Sequence, residues 1–148
     1  MKKIVSIVFV LSFGINLFPD NDLKLETIGA TAASTLYLSY MAIGVVADAY
    51  QNKAYNKNTA SGFVREAVAI MGVCKNYMNR LSTEGGLSNN DIATAKKMIE
   101  TFDLLINEGQ SFINYVETND SKHVKAFHDY RNKAWKNISE ILGLNNSK

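Results

Sequence analysis

Two charged residues sit on otherwise apolar helical faces, and they carry opposite signs. Asp48 closes the uncharged stretch Thr27–Ala47, one turn before the end of the first helical pattern. A carboxylate there opposes the helix dipole and needs a partner. Arg131 takes an inner position of the last pattern, between Phe127 and Trp135. Counted along the two helices, their levels differ by about 9 Å, which an arginine nearly spans. The spacing predicts that Asp48 and Arg131 meet inside the protein, with Tyr50 or Tyr55 assisting. Such a pair can fix the register of packed helices, or Arg131 can receive a small carboxylate or phosphate among tyrosines. Register is the preferred reading, since buried pairs often do no more than that.

Other chemistries find less support. Met41 and His128 lie at levels that differ by only about 6 Å, so a Met–His axial pair for noncovalent haem is the alternative site. A core methionine and a satisfied histidine are the commoner use of such residues. A di-iron bundle needs inward Glu-x-x-His motifs, but Asp120 precedes His123 and Lys125 precedes His128 at that spacing. Covalent haem needs C-x-x-C-H, and Cys74 is the only cysteine. Cys74 falls on an apolar seam, where a thiol behaves as a small hydrophobe. There is no phosphate-cradling glycine loop and no G-x-S-x-G elbow. With no acid–base constellation to name, the expectation is no enzymatic activity and no cofactor.

The elements that must position these residues read as helices. Leu36, Tyr40, Ile43, Ala47 and Tyr50 recur at steps of four and three. Phe63, Ala67, Ile70, Cys74, Tyr77 and Leu81 do the same, with Val64, Met71 and Met78 beside them. A third seam runs from Ile92 through Phe102 and Gly109 to Val116, and a fourth from Val124 to Leu142. Expected starts are Leu23 for the first helix, Thr59 or Ser61 for the second, Ser88 with Asp91 for the third and Asn119 or Asp120 for the fourth. Asp20, Asn21 and Asp22 read as a short exposed tether. Gly85, Gly86 and Gly143 mark stops. Hydrophobic content of 47% in 148 residues supports one domain with a real core. The predicted fold is all-α, an antiparallel up-down-up-down four-helix bundle over 23–143, with 144–148 a frayed tail. In outline it resembles the exported bacterial four-helix bundles, the group that includes cytochrome c′ and cytochrome b562.

Ahead of the bundle, residues 1–18 read as a signal peptide helix. Lys2 and Lys3 precede the apolar run IVSIVFVLSF. Ser12 and Gly14 place a cut after Gly14, and with no A-x-A at a sensible distance the alternative is a retained anchor. Without Lys2 and Lys3 the chain holds 14 basic and 14 acidic residues, which argues against nucleic acid. The expected role is a binding or protein-interaction module in the periplasm or cell envelope. A protein partner or a homodimer is the expected company, with peripheral membrane association as an option. Two rival readings stand beside it: a small-ligand or haem carrier, and a membrane component using 27–47 as a span. Hydroxyls, alanines and mid-segment tyrosines weigh against the span. The prediction is instead that the other three helices hide this stretch.

Overall fold

A computed structural model describes residues 20–144, and the signal peptide reading therefore lies outside the described residues. Four α-helices pack together, with no strand among the described residues. They are α1 (Asp20–Gln51), α2 (Lys57–Glu84), α3 (Asn89–Thr118) and α4 (Ser121–Ile141).

Local chemistry sets the helix ends. α1 begins at Asp20, so the expected tether is its first turn. α2 starts earlier than predicted, because Asn56 rather than Thr59 or Ser61 is the N-cap. Its Oδ1 accepts from the Thr59 N–H at 2.9 Å. Ser88 caps α3, with Oγ accepting from the Asp91 N–H and donating to Asp91 Oδ2 at 2.6 Å. Asn119 ends α3 in the left-handed region, and Asp120 caps α4 by accepting from the Lys122 N–H.

The helix at the centre is α3. It packs most extensively, against α2 and α4, while α1 touches the other three helices more lightly and α2 and α4 do not approach each other. The most deeply enclosed side chains are Phe102, Leu105 and Ile113 of α3, Leu36 and Ile43 of α1, Val64 and Met71 of α2, and Ile138 of α4. Burying side chains of this size contributes about 1.5–3 kcal/mol each. Gly109 lets α2 come close: a Cβ there would lie 2.7 Å from Val68 Cγ2 and 3.1 Å from Val64 Cγ1. Ion pairs lace the outside of these contacts, Arg65–Glu117 and Lys75–Asp103 between α2 and α3, and Lys97–Glu140 between α3 and α4.

Two packing expectations need correction. The first is the coverage of α1. Its predicted seam does face inward, but of residues 27–47 only Ala32, Ala33, Leu36, Ile43 and Gly44 are buried. α1 touches all three other helices but packs lightly on each, so one flank stays bare. α1 remains the one described helix long and apolar enough to cross a membrane. The second is the facing of α2. Phe63, Ile70 and Tyr77 turn outward, and the buried line is Ala60, Val64, Met71 and Met78, one position on. Both lines have helical spacing, and apolar character alone does not say which is inside. Cys74 is half-buried, against the core.

Candidate functional site

The end of α1 builds one wall of the site. Lys53 follows the helix with φ 59°, in the left-handed region, and its N–H donates to the Tyr50 carbonyl at 3.0 Å. The N–H groups of Ala54 and Tyr55 both donate to the Ala49 carbonyl. This closed turn folds the chain back, so that Tyr55 packs beside Phe63 with ring centroids 5.6 Å apart. A left-handed residue is a common way for a helix to end, as Asn119 also shows.

The cavity holds about 580 Å³ and lies where α1 and α3 end and α4 begins. That is within the size range of small-molecule sites. Its wall is aromatic. Tyr50 meets Phe112 edge-on at 5.9 Å and Tyr115 edge-on at 6.4 Å. Phe112 continues to Phe127 at 6.1 Å, and Phe127 to His128 at 5.3 Å. Asp48, Lys53 and His128 are exposed and supply charge and polarity at its edges. No hydrogen bond or ion pair joins Asp48 to His128 among the described residues. The chemistry on offer is therefore reception of an apolar, flat body against rings, with polar groups near solvent to orient it.

One turn deeper, about 5 Å by helix rise, lies a buried ionic cluster. Arg131 Nη1 donates to Glu108 Oε1 at 2.7 Å and to the Tyr40 carbonyl at 3.0 Å. Its guanidinium carbon stands 3.8 Å from the centroid of the Tyr40 ring, which in turn packs against Trp135 at 5.3 Å. Gly44, one turn beyond Tyr40, makes the approach feasible, since a Cβ there would lie 2.9 Å from Arg131 Cζ. One side chain thus ties α4 to both α3 and α1. Glu108 is fully buried. Burial pushes its carboxyl up to about 7, against the opposing pull of the Arg131 hydrogen bond and charge. Oε2 is buried and has no hydrogen-bond partner among the described residues.

The predicted pair of Asp48 with Arg131 does not form. Arg131 pairs with Glu108, and Asp48 is exposed beside the end cavity. An exposed carboxylate at the last turn is solvated by water and needs no internal cation. Met41 and His128 are not brought together either. Met41 lines a groove between α1 and α2, and His128 lines the end cavity. What the structure does gather is Asp48, Tyr50, Tyr55 and His128, four of the six residues singled out by sequence, around one cavity. Comparison with family models, curated proteins and solved structures finds no match. Glu108, Lys53, Phe112 and Tyr115 escape the sequence reading. Glu108 did carry a signal: it stands three residues after Leu105 and four before Phe112, a charge at core spacing.

Proposed function

We propose that this chain is an exported, non-enzymatic binding module of the cell envelope, and that its end cavity receives a small ligand with a flat apolar body. The observation that carries this reading is the convergence of Asp48, Tyr50, Tyr55 and His128, from three separate segments, on one aromatic-walled cavity. Lys2 and Lys3 ahead of ten largely apolar residues support export. The up-down-up-down order belongs to the same proposal. Arg65–Glu117 with Lys75–Asp103, and Lys97–Glu140 with Glu108–Arg131, are the pairings that oppositely directed neighbours would give.

Fluorescence of 1-anilinonaphthalene-8-sulfonate, a flat apolar body with one anionic group, tests the cavity. Val124 lines it and is half-buried. Val124→Trp should fill the space and weaken dye binding at least about tenfold, the equivalent of roughly 1.4 kcal/mol. Ile70→Glu, on the outer face of α2, should leave dye binding unchanged. Equal affinity in wild type and Val124→Trp, both with native circular dichroism, would contradict the cavity reading.

A further inference from the structure

The outward line of α2 is as regular as its inward one. Phe63, Glu66, Ile70, Val73, Tyr77 and Arg80 follow steps of three, four, three, four and three. Ile70, Val73 and Tyr77 are 59%, 55% and 66% exposed. Along α1, Ile28, Leu38, Met41 and Val45 are exposed as well. Two cavities mark the same α1–α2 groove, one among Leu38, Met41, Val45 and Phe63, the other between Ile28 and Tyr77. α3 contributes no large exposed apolar side chain. The apolar surface is therefore concentrated on one two-helix face, and this is unusual for a monomer.

The charges on this face select the kind of partner. Alternating steps of three and four make a seam for knobs-into-holes packing with another helix. A lipid surface disfavours a carboxylate within the apolar line. Glu66 stands in that line, exposed, and has no ion-pair partner among the described residues. The cations Arg65 and Lys75 are drawn to the other side by their pairs with Glu117 and Asp103 on α3.

We infer that this face binds a second copy of the same chain. A two-fold axis at Val73, running across α2, lays the helix antiparallel to its copy. Val73 then meets the partner's Val73, and Ile70 packs beside the partner's Tyr77. Glu66 lies opposite the partner's Arg80, and the relation repeats by symmetry, as an isologous contact requires. Among the described residues the Arg80 side chain has only the exposed i,i+4 contact to Glu84 at 3.6 Å, so it remains available. α1 carries no charge from 27 to 47 and adds no repulsion. From Ile28 to Val45 the face is roughly 26 Å long and about 20 Å across two helices. That is on the order of 1,000 Å² buried in total, the lower bound of a specific interface.

Sedimentation equilibrium of the full purified chain across roughly 1–100 µM, a range spanning about 2.7 kcal/mol of association free energy, tests the inference. The expected species is a dimer in concentration-dependent exchange with monomer. Glu66→Arg and Arg80→Glu should each weaken it about tenfold, since two like-charge contacts replace two attractive ones. The double variant Glu66→Arg/Arg80→Glu should restore it to within about threefold of wild type. Ile70→Glu should leave only monomer, with helical circular dichroism unchanged. A monomer throughout the range overturns the proposal. So does a dimer indifferent to Ile70→Glu, or a monomer that instead binds phosphatidylglycerol vesicles through Ile70 and Tyr77. Failure of the charge swap to rescue overturns the antiparallel register and with it the proposal as stated.

Discussion

Arg131→Met is expected to destabilise the bundle by about 3–5 kcal/mol at pH 8, the usual penalty for removing one member of a buried pair. The side chain does three jobs from one position, on Glu108, on the Tyr40 carbonyl and on the Tyr40 ring. Its loss leaves Glu108 fully buried and without its one paired cation among the described residues. The penalty should shrink as the pH falls, because a lone buried carboxyl takes up a proton instead of staying charged. Arg131→Met combined with Glu108→Leu should recover most of the loss, since an apolar replacement of a buried pair is commonly neutral or better. Urea unfolding of the two single variants and the double variant measures this. A loss below about 0.5 kcal/mol for Arg131→Met, within the ordinary range of surface substitutions, would show that the cluster does not hold α1, α3 and α4 together.

The second large effect is on pH. Glu108 moves from an ordinary 4.5 to about 7 in the folded protein, which corresponds to about 3 kcal/mol. The folded state holds this proton more tightly than the unfolded chain does. Between about 4.5 and 7 the unfolded chain releases the proton first, so raising the pH favours unfolding. The contribution is complete below 4.5 and lost as the pH rises through about 7. Asp120 and Glu140 are held below their usual values by Lys122 and Lys97 and act in the opposite sense at lower pH. The difference between wild type and Glu108→Gln isolates the buried group. Relative to the glutamine variant, wild type should lose about 3 kcal/mol between pH 4.5 and 8. Parallel stability profiles for the two proteins would contradict the argument.

The outline of this fold is legible because helical periodicity is strong and turn chemistry is explicit. Ser88 with Asp91, Asp120 before α4 and Gly143 after it all stand where sequence places them. What is not legible has a physical origin in each case. On α2 two apolar lines lie one position apart, and the sequence favours the larger residues, Phe63, Ile70 and Tyr77. Packing selects the smaller line, Ala60, Val64 and Met71, because α2 sits close enough to α3 for Gly109 to matter. On α1 the absence of charge suggests a centre, yet hydroxyls and alanines are compatible with exposure, and the charged α3 is the more enclosed helix. Arg131 is recognisable as a partly buried cation, but its partner is not. Asp48 is conspicuous because it ends an uncharged run, whereas Glu108 hides among charges on its own helix and is the one that is enclosed. The end cavity is half legible: its tyrosines cluster in sequence, while Phe112 and Tyr115 reach it only through the fold.

The most direct test of the binding role is a map of amide shifts in the isotope-labelled protein titrated with 1-anilinonaphthalene-8-sulfonate. The predicted result is a saturable set of changes at 47–56, 112–115 and 124–128, the segments that wall the end cavity. Changes confined to 63–77 on the outer face of α2, with the cavity segments silent, would contradict it.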